Sequence, residues 1–518
     1  MHRLVIATTA LLTMIGATVV AGYLFVFAAG ADRLARAVPG GAAFYATAYL
    51  QPSTGQKMNL AELLGHVPGF ADAASLDQKI HEITARLLGE AGVDYERDVR
   101  PWLGNQVALA VRPDSADPIE ADVWVLLATR DAAAAEEALQ RIAADQGAAV
   151  TDDEHHGVTI HRAADSAWAV LEDLVVLSPT VEGVTQVLDV EAGRADALAG
   201  EAEFRQAMGR LPADHLGAVY ASSSALVGAA GTEVPATGYD TLSLALVAES
   251  DGLHLSGIAP FDADAVPQPL REAFELGRQA GELSGWMPDD TQAAVLFFGL
   301  SQSVAAAEEQ LGELEGGQEV GDALDQFRAL AAFGLGIDVD DDLLPLFDGE
   351  TAVAVDGLDR AEPAPLLLLR PSDGDGAEAR LERLRDALEE RGASVSEQEA
   401  AGVTVTSIEV PDLATVSYAV RDGVVLAGLS VEDVADALEA HDGDSLADTP
   451  RYAAAWELAG TRGGPEIYVD VAALIDGFGS EVGIEGEAGD ILREIGALAV
   501  TAPARESHSE IHIVLTVR

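Results

Sequence analysis

The residues best suited to chemistry are gathered between positions 152 and 161. Asp152-Asp153-Glu154-His155-His156 sets three carboxylates beside two imidazoles, and His161 follows shortly after. Carboxylates and neutral imidazoles together hold Zn²⁺ or another divalent transition ion, so His155, His156 and His161 are the candidate metal ligands. If Val158–His161 is a strand, alternation sets Thr159 and His161 on one face, with the acidic residues in the turn before it. A charged turn leading into an edge strand has the same composition. The spacing matches no zinc signature.

Other candidate motifs fail on a named residue. Asp338, Asp340 and Asp342 alternate as calcium-loop ligands do, but Leu343 stands where the turn glycine belongs and Gly349 where the closing Glu belongs. That segment attracts Ca²⁺ or Na⁺ only through its charge. His81-Glu82 opens like a zinc-protease helix, but position 85 is Ala85. Gly334-Leu335-Gly336 lacks a third glycine and follows no strand, so it is no dinucleotide fingerprint. Gly299-Leu300-Ser301-Gln302-Ser303 misses the nucleophile-elbow pattern, and Ser222-Ser223-Ser224 reads as a polar turn. No catalytic residue and no cofactor is assigned, and a non-enzyme is favoured. Carboxylates far apart in sequence converge in a fold, so a metal-dependent or carboxylate hydrolase stays open as an alternative.

The elements that must position these residues occur twice, at a spacing of about 245 residues. Gly92-Val93-Asp94, Pro101 and Val107–Val111 return as Gly336-Ile337-Asp338, Pro345 and Thr351–Val355. Gly147–Val150, Gly157-Val158-Thr159, Val175–Leu177 and Tyr220–Leu226 return as Gly392–Val395, Gly402-Val403-Thr404, Val424–Leu426 and Tyr468–Leu474. The counterpart of the histidine cluster, Ser396-Glu397-Gln398-Glu399-Ala400-Ala401, has no histidine.

Each copy opens with an apolar strand, Ala43–Leu50 or Ala293–Leu300. Helical material follows: Asn59–His66 and Leu76–Ala91, or Val304–Phe333. Two strands come next, Gln106–Val111 and Asp122–Ala128, or Glu350–Val355 and Pro365–Arg370. A helix capped by Asp131, or by Ser372 or Asp373, then precedes several short strands. Turns such as Ser250-Asp251-Gly252 and Arg421-Asp422-Gly423 make hairpins, so the sheets are expected to be mainly antiparallel. The fold class is α+β: two tandem homologous modules, each a mainly antiparallel sheet with packed helices, after one N-terminal transmembrane helix. The boundaries are 1–37 for the anchor and linker, 38–262 for module one, 263–283 for a bridging helix over Arg271–Gly281, and 284–518 for module two. His441–Asp448 and Gly479–Gly489 read as solvated acidic excursions. Trp102 reads as a core residue, because the second copy keeps an apolar Leu346 there.

Composition limits the partners. Among 518 residues, Asp plus Glu number 87 against 30 Lys plus Arg, a formal charge of −57. Such a surface repels phosphates, so nucleic acid is excluded as a partner. Lys57 and Lys79 are the sole lysines. The excess acid reads either as a solvated, aggregation-resistant surface or, with lysine so depleted, as adaptation to a saline solvent in which self-repulsion is screened. With no cysteine there is no disulfide, thiolate metal site or Cys-linked lipid.

Leu4 to Ala29 carries no charge, and as a helix it is about 39 Å long, enough to cross a hydrocarbon core of about 30 Å. It reads as a signal anchor with the bulk of the chain outside the cell membrane. Ala29-Gly30-Ala31 has the small-x-small pattern of a cleavage site, so secretion after cleavage near Ala31 is the competing expectation.

Val38-Pro39-Gly40-Gly41-Ala42, Gly55-Gln56-Lys57, Val67-Pro68-Gly69-Phe70 and Asp94-Tyr95-Glu96-Arg97-Asp98-Val99-Arg100-Pro101-Trp102-Leu103-Gly104 resemble a family of bacterial exported proteins known as domain of unknown function 3352. Pro101-Trp102-Leu103-Gly104 is the most specific part, and Gly40-Gly41 departs from the acidic or polar residue usual there. The resemblance implies a transmembrane segment and an extracytoplasmic domain, and brings no catalytic residues. The expected role is binding or scaffolding of an envelope protein or ligand. A carrier of lipid or another apolar ligand is a further alternative.

Overall fold

A computed structural model describes residues 32–66, 93–113, 121–163, 166–223, 239–311, 321, 325–326, 328–357, 364–410, 414–478 and 492–518. The apolar Leu4–Ala29 segment, the helix expected over Leu76–Ala91, His81-Glu82 and the Gly479–Gly489 excursion lie outside these residues. No helix among the described residues is long and apolar enough to cross a membrane. The described residues fall into two units, one reaching Pro260 and the other starting at Phe261.

The first unit runs β1 (Phe44–Tyr49), α1 (Thr54–Gly65), a wide helical turn (Tyr95–Val99), β2 (Leu103–Arg112), β3 (Asp122–Thr129), α2 (Ala132–Asp145), β4 (Thr151–His155), β5 (Val158–Ala163), β6 (Ser166–Val170), β7 (Leu174–Ser178), α3 (Val181–Glu191), α4 (Ala202–Met208), β8 (Gly217–Ser222), β9 (Thr241–Glu249) and β10 (Gly252–Pro260). Every strand pairing is antiparallel, in the order β4-β5-β6-β7-β3-β2-β1-β8-β9-β10. Local chemistry sets the helix starts. Ser53, Asp131 and Thr180 each accept a backbone N–H three residues on, satisfying a donor that the first helical turn leaves free.

Helices cover both faces of the centre of this sheet. Trp124 and Leu126 of β3 point to one side and pack with Val176 against Val184, Val187 and Leu188 of α3. Val125 and Leu127 point to the other, with Trp102, Val107 and Val175 against Ala135 and Ala138 of α2. A strand buried on both faces loses the polar half of its alternation, which explains the unbroken Val123–Ala128 run.

The second unit runs α5 (Gln268–Leu276), β11 (Ala293–Phe298), α6 (Leu300–Leu311), a wide turn (Val339–Leu343), β12 (Glu350–Asp356), β13 (Ala364–Arg370), α7 (Gly374–Glu389), β14 (Ser394–Ala400), β15 (Val403–Val410), β16 (Ala414–Arg421), β17 (Val424–Gly428), α8 (Val431–Asp442), α9 (Pro450–Ala459), β18 (Glu466–Asp470), α10 (Val471–Phe478), β19 (Ile495–Thr501) and β20 (His508–Val517). Its antiparallel order is β14-β15-β16-β17-β13-β12-β11-β18-β19-β20. That is the first sheet's order with each strand number raised by ten. The fold is therefore α+β with antiparallel sheets.

The correspondence extends to side chains. Asp94 and Asp338 each cap the wide turn that follows them. Asp98, buried inside the first turn, takes Nη1 of Arg141 from α2 at 2.8 Å; Asp342 takes Nε of Arg383 from α7 at 2.9 Å. Asp338, Asp340 and Asp342 are thus engaged in a cap and in arginine pairs, Arg328 on Asp340 included. Trp102 and Leu346 are both buried, and the indole Nε1 donates to the Asp98 carbonyl at 2.5 Å.

Several boundaries differ from the sequence reading. The first helix starts at Thr54 rather than Asn59, because the Ser53 cap fixes its start. The helix expected over Arg271–Gly281 starts at Gln268, immediately after Pro267, and ends at Leu276, with Gly277 as its C-cap. Residues 441–448 are largely exposed, as the acidic composition suggests, but the segment is tied down at Ser445 and Leu446. The His441 ring stacks on Trp286, Ser445 and Asp448 form a capping box, and Leu446 is buried with its N–H on the Met287 carbonyl. The acidic stretch before His155 is a strand, β4, not a turn.

Candidate functional site

The hairpin β4–β5 carries the histidines. His155 closes β4 opposite Val158, and Asp152 stands opposite His161. The two turn residues, His156 and Gly157, have φ of +52° and +80°. Two positive φ values in succession give the turn whose twist suits a hairpin, and His is among the few side-chain-bearing residues that enter this region readily. The exposed β4 edge is lined with Asp152, Asp153 and Glu154, charges that discourage pairing with another strand.

The hairpin divides the three histidines between two faces of the sheet. Ile160 is buried on the α3 side, so its neighbour His161 points to the α2 side. There His161 Nε2 lies 2.6 Å from Glu136 Oε1 and Nδ1 lies 2.8 Å from Asp152 Oδ1. Its side chain is 7% exposed and its ring centroid is 5.3 Å from that of Trp168. A carboxylate on each ring nitrogen and an indole alongside hold this imidazole in place.

His155 and His156 meet a different partner. Their Nε2 atoms each lie 2.8 Å from the same oxygen, Oδ1 of Asp189, near the C-terminal end of α3. The two rings are tilted, with centroids 3.9 Å apart. Hydrogen bonds from the two imidazoles hold the Asp189 carboxyl below the usual carboxylate range. The three side chains are 23–35% exposed, so solvent reaches them. Within the described residues, His155, His156 and Asp189 form a group of potential ligand atoms all within 4.8 Å of one another. Sequence reading missed Asp189. It lies on the polar flank of an amphipathic helix, and nothing local distinguishes it from other exposed acids.

The second unit keeps the scaffold of this arrangement without its imidazoles. Its β14–β15 turn is Ala401-Gly402, with φ of +47° and +75°, preceded by Ala400. Matching Val184, Val187 and Leu188 of α3 to Val434, Ala437 and Leu438 of α8 sets Glu439 at the Asp189 position.

An antiparallel-sheet α+β protein with this sequence has a place among known families. Residues 4–517 match the family described as "Protein of unknown function (DUF3352)". The chain belongs to that family. No curated protein matches it. Among solved structures, crystal forms III and I of TP0453 are similar over 47% of this chain and 84% of theirs, at 10% and 12% identity and a TM-score of 0.27.

Proposed function

We propose that this is a membrane-anchored cell-envelope protein whose duplicated extracytoplasmic modules bind or scaffold an envelope partner. The observation that carries the reading is the strand order found twice, together with the twice-used Asp98–Arg141 and Asp342–Arg383 links. One ancestral module, duplicated and placed after an uncharged N-terminal segment, accounts for the order, the links and the sequence repeat together. A pair of related modules on one tether presents two related surfaces to a partner, and the second engagement gains from effective concentration.

Fractionation and crosslinking of the full chain in its native envelope test this. The chain is expected in the membrane fraction, digested by protease added outside intact cells, and crosslinked to a discrete partner. Recovery in the cytosolic fraction would sink the proposal. A mature N-terminus at Asp32 would convert the anchored form into the secreted one.

A further inference from the structure

We infer that His155, His156 and Asp189 form a binding site for one divalent transition-metal ion of the Zn²⁺ type. Three ligand atoms already converge there: two imidazole Nε2 atoms, each 2.8 Å from one carboxylate oxygen, and all three within 4.8 Å of one another. In a tetrahedral site with bonds of about 2.0–2.2 Å, neighbouring ligand atoms are about 3.3–3.6 Å apart. Shifts of several tenths of an ångström therefore open the triad into a tripod around an ion. Rotation of exposed side chains supplies such shifts while the backbone stays in place. On ion binding, the Nε2 protons that face Asp189 are released to solvent or, in a neutral ring, exchanged through solvent onto Nδ1, so that each ring carries one proton on Nδ1 and presents the Nε2 lone pair. The metal takes the place of the two Nε2–H donors to Asp189.

Both supports of the triad are fixed. The β4–β5 ladder and its two-residue turn set the imidazoles, and α3 is anchored through Val184, Val187 and Leu188. The donor set selects the metal. Two nitrogens and one oxygen without thiolate suit Zn²⁺ and its borderline neighbours, whereas Ca²⁺ and Mg²⁺ call for oxygen ligands. Partial exposure leaves the remaining coordination positions to water. Asp152, Asp153 and Glu154 on the same strand as His155, on a chain of formal charge −57, raise the local concentration of cations.

The turn alone does not account for the cluster, since the second unit builds it with Ala400-Ala401-Gly402. Among the described residues this imidazole pair belongs to the first unit, and the site takes one ion.

The test is calorimetric titration of the chelator-stripped full chain with Zn²⁺ in excess Mg²⁺, which fills carboxylates that bind by charge alone. One Zn²⁺ per chain is expected. His155→Asn with His156→Asn keeps residues that the turn accepts, and is expected to weaken binding by about 100-fold or more. Asp189→Asn, a change on the helix surface, is expected to weaken it by about 10-fold or more. His161→Asn is expected to leave it unchanged. Loading with Co²⁺ supplies a second readout, visible absorption bands that the double variant abolishes. Equal Zn²⁺ affinity in wild type and in both the double and Asp189→Asn variants would overturn the site. So would loss of binding with His161→Asn alone.

Discussion

Glu350, the first residue of β12, is buried, and its two carboxylate oxygens accept the backbone N–H groups of Leu283 and Glu282 at 2.9 and 3.1 Å. Burial pushes its carboxyl above the usual range, against the pull of those two donors, and the nearby Glu466 carboxylate adds to the rise. Gln106 stands at the corresponding point of β2 in the first unit, where its amide bonds Asp32, Thr47 and the Arg33 N–H. Similar backbone work is thus done once by a neutral amide and once by an acid. The sign for Glu350 follows from the raised value. With the folded pKa above the unfolded one, its contribution favours folding at low pH. That contribution is lost as pH rises through the folded pKa. Glu350→Gln removes this dependence. Melting temperatures from pH 4 to pH 8 are expected to show the variant gaining on the wild type as pH rises. A constant difference would refute the buried-acid account. Asp98 is the opposite case: hydrogen bonds from Arg97 and then Arg141 hold its carboxyl below the usual range.

At the scale of elements, the wide turn Tyr95–Val99 and the Trp102 that follows it join α2 to the sheet. The indole fills space beside Val107, Val125 and Ala135, and its Nε1 fixes the Asp98 carbonyl. Trp102→Ala removes a large fully buried side chain and a buried hydrogen bond together, and is expected to cost about 3–5 kcal/mol. A urea unfolding midpoint checks this, and a loss below about 1 kcal/mol would mean the site collapses around the gap. Trp102 was legible as core from the apolar Leu346 in the matching place, and the hairpin at Asp422-Gly423 from its turn chemistry. Thr151–His155 was not legible as a strand. Its exposed edge position permits Asp and Glu where a central strand would require apolar residues.

Across the whole molecule the dominant physical fact is the charge of −57. Most of the 30 basic residues are arginines, and many are engaged with acids, as in Arg112–Asp122, Arg328–Asp340 and Arg421–Asp442. The excess acid still repels itself in dilute buffer. At 1 M salt the screening length falls to about 3 Å, and most of that repulsion is removed. The melting temperature of the full chain is expected to rise from low to molar NaCl. A flat or falling curve would show that the acidity is not a response to salt.

By itself the sequence determined the α+β class and the antiparallel hairpins, because apolar alternation, glycine turns and helix caps act over a few residues. It also singled out His155, His156 and His161 as candidate metal ligands. Only the tertiary structure decided which of them act together. One strand of alternation sends His161 across the sheet to Glu136 and Asp152, while α3, packed from a distant part of the chain, brings Asp189 to His155 and His156. Side-chain direction depends on register and on the docking of a helix, and neither is written in the spacing of the histidines.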